Sequence, residues 1–252
     1  MDSLVTPGAP ARHRAPLVLA GALVVGGSVA NSIVTTFHPH REDPNDHAAV
    51  FAEYAASTDW IWVHYAQLAA ALTMLAGFVV LYRAMTALRP ATATDHLAVG
   101  AVIISAATVT VLQAVDGVAL KHAVDGWAGA TGQEKTARFA DAEAVRWLEW
   151  GVNSFFYTMV GITLVLLGVA MLRRAVLARW LGCAAVLAGL AFVANALPVG
   201  YRGFQATPAA MAAVLLLAVT AIGLMVAGFR TPRVTVMEEQ GSTAAPALER
   251  AR

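Results

Sequence analysis

The chain has 252 residues, of which 58% are hydrophobic and only 13% are charged, and its formal net charge is +1 at pH 7. A soluble domain carries about 45–50% apolar and about 25% charged residues, so this composition excludes a water-soluble globule and a disordered chain. The near-zero charge argues against nucleic acid as a partner. The single cysteine, Cys183, excludes an internal disulfide framework and a cysteine-based zinc site.

Six continuous apolar stretches are long enough to cross a membrane, because a hydrocarbon core about 30 Å thick needs roughly 20 helical residues. Their apolar residues do not alternate with polar ones, which excludes a transmembrane β-barrel. The expected fold is all-α, a polytopic membrane helix bundle of six transmembrane helices within residues 15–230, with disordered tails at 1–14 and 231–252. The predicted spans are 16–37, 60–81, 97–120, 150–172, 180–197 and 208–229.

The charges are distributed unevenly between the two predicted sides of the membrane. Six spans put both termini on one side, which carries eleven arginines and five acidic residues, whereas the other side carries six basic and eleven acidic residues. Loops rich in Lys and Arg remain cytoplasmic. We therefore expect a multi-pass protein of the plasma membrane with both termini in the cytoplasm.

Both outer loops contain signals for helix formation. Asp43 followed by Pro44 has the pattern of an N-cap and a proline at the first helical position. Thr131 and Glu134 have the spacing of a capping box, and the helix that they begin can continue into the fourth span. Two short interfacial helices on the extracytoplasmic side are therefore predicted, at 44–56 and 132–148.

Strongly polar side chains lie in the outer third of five spans. In the second, third and fourth spans they are three or four residues apart, so that each set occupies one helical face. Polar groups that face lipid are costly, and these faces should therefore turn towards one another around an outward-facing polar pocket. The candidate catalytic residues are His64, Asp116 and Glu149, and the candidate ligand-pocket residues are Asn31, Gln67, Gln113, Arg146 and Asn153.

The alternative interpretation is that this polarity is purely structural. A shift of the membrane boundary by four residues would put Asp116, Glu149 and Asn195 at the water interface, where acids and amides are ordinary at helix ends. Asp116 could also form an inert salt bridge with Arg146. In that case the chain would be a non-catalytic accessory or assembly protein.

Five of the seven histidines lie on the predicted outer side, and imidazoles near carboxylates suit zinc, copper or iron. His38, His40 and His47 are the candidate metal ligands, and His64 with His122 would be the available haem ligands. Without a metal, a buried carboxyl group and His64 could perform acid–base catalysis on an apolar substrate, as in isomerases and cyclases. The expected partners are the lipid bilayer and an apolar small molecule or lipid, while no motif specifies a cofactor or an oligomeric state.

Three segments carry a resemblance to known sequences: DPNDHAAVFAEYA at 43–55, QAVDGVALK at 113–121 and RWLEWGVNS at 146–154. They resemble segments of multi-pass integral membrane proteins of high-GC bacteria that have no established activity. The resemblance covers most of spans one to five. It implies a bacterial plasma-membrane protein and transfers no catalytic residue to this chain.

Overall fold

In the computed structural model the described residues are 14–87, 90–174 and 177–230, and they form eight α-helices and no strand. A π-helical segment at Val115–Leu120, called the π segment below, joins α4 to α5. Apart from Arg14, the tails predicted at 1–14 and 231–252 lie outside the described residues. The helices are α1 (Arg14–Thr35), α2 (His47–Ala56), α3 (Trp60–Thr86), α4 (Ala93–Ala114), α5 (Lys121–Gly129), α6 (Gly132–Arg174), α7 (Arg179–Arg202) and α8 (Pro208–Arg230).

Six helical stretches in the described part of the chain are long and apolar enough to cross a membrane, which confirms the predicted fold class. The third stretch, Ala93–Gly129, consists of α4, the π segment and α5 and has 37 residues. The fourth is α6 with 43 residues. At 1.5 Å per residue α6 is about 65 Å long, twice the thickness of a bilayer core, so its first part extends beyond the hydrocarbon region.

The six spans form a closed ring. Each one packs against the next in the order α1, α3, α4, α6, α7 and α8, and α8 packs back against α1. A large apolar core fills the half of the ring nearest to the termini, with Phe78, Leu164 and Leu181 among its buried residues. The other half of the ring contains the polar residues described below.

The end of the bundle opposite to the start of α1 and the end of α8 is covered by α2, α5 and the first part of α6. Their buried residues, which include Phe51 and Val124, form a second apolar cluster together with Trp60 of α3. The 44–56 and 132–148 segments are thus mainly helical, but the second is the beginning of α6 rather than a separate short helix. Val50, Phe51 and Tyr54 of α2 and Ala142 of α6 are buried in this cluster.

The start of α2 differs from the sequence-based expectation. The helix begins at His47, and its N-cap is Asp46, whose side chain accepts a hydrogen bond of 3.2 Å from the backbone N–H of Ala49. Asp43 instead accepts a 3.0 Å hydrogen bond from the backbone N–H of Asn45 in a turn. The prediction that Asp43 caps a helix starting at Pro44 is therefore wrong, because the carboxylate of Asp43 is used in the turn before the helix.

Candidate functional site

A cavity of about 450 Å³ lies at the end of the bundle opposite to the apolar core, and we call it the polar cavity. The end of α1, the first half of α3, the end of α4 and the middle of α6 form its walls, while the α1–α2 loop, α2 and Phe204 cover it. The structure places nine of the candidate residues around it. They are Asn31, His38, His40, Gln67, Gln113, Asp116, Arg146, Glu149 and Asn153.

His64 and Asp116 form a close pair at the wall of this cavity. The Nε2 atom of His64 lies 3.1 Å from Oδ2 of Asp116, although the contact does not have hydrogen-bond geometry. The other ring nitrogen of His64, Nδ1, lies 2.7 Å from the backbone oxygen of Trp60. The indole N–H of Trp60 in turn donates a 3.1 Å hydrogen bond to the backbone oxygen of Asp116. These contacts fix the start of α3 against the π segment.

The π segment brings this part of the third span close to α3. A Cβ atom at Gly117 would lie 2.5 Å from Cβ of His64, a distance that real side chains do not adopt. Only glycine therefore permits this approach of the two backbones. Single-turn π bulges in α-helices are frequent at functional sites, and this one carries Asp116.

His38 contacts the pair from the α1–α2 loop. Its ring centroid lies 5.3 Å from that of His64 and 4.8 Å from that of Trp60. Its Nδ1 atom lies 2.8 Å from the backbone oxygen of Pro39. Three potential metal-ligand atoms, one from each of His38, His64 and Asp116, lie within 4.8 Å of one another. Burial lowers the pKa of the His38 imidazole below its ordinary value, so this ring is neutral at pH 7.

Arg146 and Glu149 form a buried ion pair on the α6 side of the polar cavity. Nη1 of Arg146 lies 2.6 Å from Oε2 of Glu149, and both side chains are 2% exposed. The guanidinium also donates a 3.0 Å hydrogen bond to the backbone oxygen of Pro44 and lies over the rings of Tyr54 and Phe204. Arg146 therefore connects α6 to the loops that cover the cavity. The ion pair that Asp116 forms among the described residues is with His64, not with Arg146.

Several polar atoms at the polar cavity lack a hydrogen-bond partner within the protein. In the described part of the chain six buried side-chain nitrogen or oxygen atoms have none, and four of them belong to residues that line the cavity. Buried polar groups are nearly always hydrogen-bonded, so such a concentration requires a ligand or water as partner. The four atoms are Oε1 of Gln113, Oδ1 of Asp116, Nε of Arg146 and Oδ1 of Asn153.

The structure does not bring the three candidate metal ligands His38, His40 and His47 together. Nδ1 of His40 lies 2.8 Å from the backbone oxygen of His38, at the exposed rim of the cavity. His47 lies on α2 with its Nδ1 atom 2.9 Å from Oε1 of Glu143, and its ring stacks on Phe51. The imidazole of His38 instead lies close to the imidazole of His64 and the carboxylate of Asp116. No spacing in the sequence indicates this association, since the three residues belong to three separate elements.

Two further residues at the polar cavity carried no signal in the sequence. Phe204 covers the cavity because Asn45 fixes its backbone with two hydrogen bonds of 3.1 Å, one to its oxygen and one from its N–H. Tyr54 lies on α2 beneath the Arg146 guanidinium. Burial raises the pKa of its phenol above the ordinary value, so the hydroxyl group stays protonated. Only the tertiary fold shows that these loop and cap residues belong to the site.

A second cavity of about 400 Å³ adjoins the first, and we call it the apolar cleft. It lies between α1, α3, α6, α7 and α8 and is lined mostly by aliphatic and aromatic side chains such as Met74, Phe192 and Leu217. The two cavities have four lining residues in common: Asn31, Ala71, Phe156 and Tyr157.

A family match extends over residues 19–244, and the family is described as a domain of unknown function, DUF4386. The chain belongs to this family. No curated protein and no solved structure matches the chain. The family therefore agrees with the resemblance to membrane proteins without an established activity. It assigns no role to any residue of the site.

Proposed function

We propose that this integral membrane protein binds a single-chain amphiphile, with its polar group in the polar cavity and its hydrocarbon chain in the apolar cleft. The observation that carries the proposal is that the two cavities adjoin and have four lining residues in common. A site of this shape matches a ligand with one polar and one apolar end. Both cavity volumes fall within or near the usual range for small-molecule sites, about 300–1,000 Å³.

The lining of the polar cavity favours a polar group that donates hydrogen bonds. Three of its four unpartnered atoms are the acceptor oxygens of Gln113, Asp116 and Asn153. Its lining also contains four carboxylates but one guanidinium, and Arg146 is already paired with Glu149. An anionic head would meet an excess of like charge, which is costly in a site of low dielectric. A hydroxyl or ammonium head satisfies the free oxygens without this repulsion.

The apolar cleft supplies the site for the hydrocarbon chain. It lies among membrane-spanning helices, so a ligand that dissolves in the bilayer can reach it without crossing water. Burial of hydrocarbon against protein rather than lipid gains little from the hydrophobic effect itself. The specificity of binding must therefore come mainly from the polar group, and the cleft selects for one chain of limited bulk.

A binding experiment with three ligands of equal chain length tests this proposal. We would treat the purified protein with a chelator in mild detergent and measure its binding of a monoacylglycerol, a long-chain amine and a fatty acid. The first two should bind about tenfold more tightly than the fatty acid, a difference of about 1.4 kcal/mol. Equal affinity for all three would contradict the proposed head-group chemistry. Binding of none would favour the alternative of a non-catalytic assembly protein.

A matched pair of variants tests the position of the hydrocarbon chain. Ala71→Phe fills the junction between the two cavities, whereas Ala69→Phe adds the same ring to an exposed position on α3. We expect Ala71→Phe to weaken binding of the amine about tenfold and Ala69→Phe to leave it unchanged. An equal effect of both substitutions, or of neither, would place the ligand elsewhere.

Acid–base catalysis on an apolar substrate is a second candidate function, and the contact between His64 and Asp116 favours it. A carboxylate next to an imidazole can orient the ring for proton transfer. Wild-type protein incubated with a bacterial lipid extract should then form a product detectable by mass spectrometry. Asp116→Asn should still bind the lipid and should not form the product. Absence of any product with wild-type protein would leave only the binding function.

We also propose that the site opens on the outer face of a bacterial plasma membrane, with both termini in the cytoplasm. The charge asymmetry between the two sides supports this orientation. In a Cys183→Ser background, an impermeant maleimide should label Lys135→Cys on intact cells. It should label Arg173→Cys only after permeabilisation. The opposite pattern would reverse the orientation.

A further inference from the structure

We propose that His38, His64 and Asp116 bind one divalent transition-metal ion of the zinc class at the wall of the polar cavity. One potential ligand atom from each residue lies within 4.8 Å of the other two. Two imidazoles and one carboxylate are a ligand set that catalytic zinc sites use, with the fourth position left to water or substrate. This proposal does not depend on the amphiphile, since the three side chains would bind the ion by themselves.

The backbone fixes both imidazoles in the form that binds a metal. Nδ1 of His64 lies 2.7 Å from the backbone oxygen of Trp60, and Nδ1 of His38 lies 2.8 Å from that of Pro39. A carbonyl oxygen only accepts hydrogen bonds, so each Nδ1 carries the hydrogen. In the neutral ring Nε2 then has a free lone pair. Metal-binding histidines almost always donate their second ring N–H to such an acceptor, which fixes the tautomer and the ring orientation.

The contact between His64 and Asp116 requires a positive charge. With the hydrogen on Nδ1, the lone pair of Nε2 faces the carboxylate oxygen Oδ2 at 3.1 Å without hydrogen-bond geometry. The His64 side chain is 2% exposed, so water cannot readily separate the two acceptors. A metal ion bound by both atoms removes their repulsion. It also gives the second carboxylate oxygen, which has no partner in the protein, a nearby cation.

The three ligands come from separate elements whose relative positions are well fixed. His38 lies in the α1–α2 loop, His64 on α3 and Asp116 in the π segment. The Trp60 ring contacts both imidazoles, at centroid distances of 4.8 Å and 4.5 Å, and its indole holds the π segment. His38 and Asp116 both line the polar cavity, so the open coordination position of the ion would face the proposed ligand.

A zinc titration of the full chain tests this site. The protein, purified without a polyhistidine tag and stripped with a chelator, is titrated with Zn²⁺ against a fluorescent competitor, and with Co²⁺ while visible absorption is recorded. We expect one ion per chain. His38→Ala and Asp116→Asn should each weaken zinc affinity at least about 100-fold and abolish the cobalt spectrum, since they remove ligands rather than their supports.

The control is His122→Ala, which removes an exposed imidazole on α5 and should leave zinc affinity unchanged. His38 lies outside the helices, so its truncation spares the bundle core, and size-exclusion elution and helical circular dichroism verify folding of each variant. Lack of stoichiometric zinc binding by the wild type would overturn the proposal and indicate an imidazolium–carboxylate pair instead. Unchanged affinity in a folded His38→Ala or Asp116→Asn would overturn it as well.

Discussion

Arg174 and Asp95 form a buried ion pair at the end of the bundle opposite to the proposed site. The guanidinium donates hydrogen bonds of 3.2 Å and 2.5 Å to the two carboxylate oxygens and two more to the backbone oxygens of Met85 and Pro90. Asp95 is also the partner of Thr92 in the capping box of α4. The pair therefore fixes the end of α6 to both helices of the α3–α4 connection.

Substitution of Arg174 should be much more damaging than substitution of its neighbour in the sequence. Arg174→Met leaves the fully buried carboxylate of Asp95 without its cation, and we expect a loss of about 3–5 kcal/mol in the free energy of unfolding. Arg173→Met removes an exposed side chain that donates to Thr94 and should cost less than about 0.5 kcal/mol. Chemical unfolding in detergent measures both values, and similar losses would show that the ion pair is not structural.

The half-buried Asn153 and the buried Asn195 allow the effects of substitution on ligand binding and on stability to be measured separately. Asn153 has an unpartnered side-chain oxygen at the polar cavity, whereas Asn195 accepts a 2.7 Å hydrogen bond from the hydroxyl group of Thr207. Removal of an unsatisfied buried acceptor is neutral or stabilising, while loss of a partnered one costs about 1–3 kcal/mol. Thermal unfolding of the protein without ligand should therefore occur at an equal or higher temperature in Asn153→Leu and at a lower temperature in Asn195→Leu.

The same substitutions should have the opposite order of effects on binding. Asn153→Leu should weaken binding of the long-chain amine about tenfold, because it removes one of the three free acceptors. Asn195 does not line the polar cavity, and its substitution should leave the affinity unchanged as long as the protein is folded. Destabilisation by Asn153→Leu without any loss of binding would mean that its amide has a structural role.

At the scale of the elements, the π segment is the feature that distinguishes this bundle from a simple ring of helices. It interrupts the third span where Gly117 meets His64, and it directs the carboxylate of Asp116 towards the two imidazoles. A π bulge interrupts the regular hydrogen bonding of the helix, and such bulges are frequent at functional sites. The position of this one, among the proposed metal ligands, agrees with that tendency.

A single methyl group at Gly117 should disturb the metal site without removing any ligand. The new Cβ would lie 2.5 Å from Cβ of His64, so Gly117→Ala must displace the imidazole or the π segment. We expect at least a tenfold loss of zinc affinity, in the range found when groups that support metal ligands are changed, about 10–100-fold. Gly126→Ala is the control, since nothing lies within 4 Å of the added atom on α5. The same competition titration measures both, and equal affinities would contradict the proposed geometry.

Sequence patterns predicted the membrane-spanning helices well, because a single physical effect, the exclusion of polar residues from the bilayer, determines their length and composition. Span length and apolar content are set by the bilayer, and all six predicted spans correspond to helices that could cross it. The start of α2 was harder to predict because Asp43 and Asp46 both precede the helix and both suit an N-cap. Asp43 precedes a proline that suits the first helical position, so the backbone geometry, rather than the residue types, decides which carboxylate caps the helix.

At the scale of the whole molecule, the ring of spans is divided into an apolar half near the termini and a polar half that contains the cavity. Polar residues at helical spacing indicated the polar half, because lipid penalises polar groups on the outer surface. The pair of Arg174 with Asp95 was not predictable in this way, since its members are 79 positions apart, with Asp95 in the first turn of α4 and Arg174 at the end of α6. The same holds for His38, whose approach to His64 depends on how the α1–α2 loop folds over the ring.

The two proposals together predict that zinc reverses the head-group preference of the cavity. In the protein stripped of metal, four carboxylates and one guanidinium line the polar cavity, and an ammonium head is favoured over a carboxylate. A bound divalent cation would be the largest local charge and would provide an open position for an anionic oxygen. Zinc should therefore raise the affinity for the fatty acid about tenfold or more and lower that for the amine of equal chain length.

The variant His38→Ala makes this last prediction specific to the proposed metal site. With one ligand removed, zinc at the concentrations that saturate the wild type should change neither affinity, while the preference for the amine over the fatty acid persists. A reversal that also occurs in His38→Ala would mean that zinc acts at another place, for example at the pair of His47 on α2 and Glu143 on α6. If zinc binds the wild type and alters neither affinity, the ion and the amphiphile occupy separate parts of the cavity, and the open coordination position does not face the ligand.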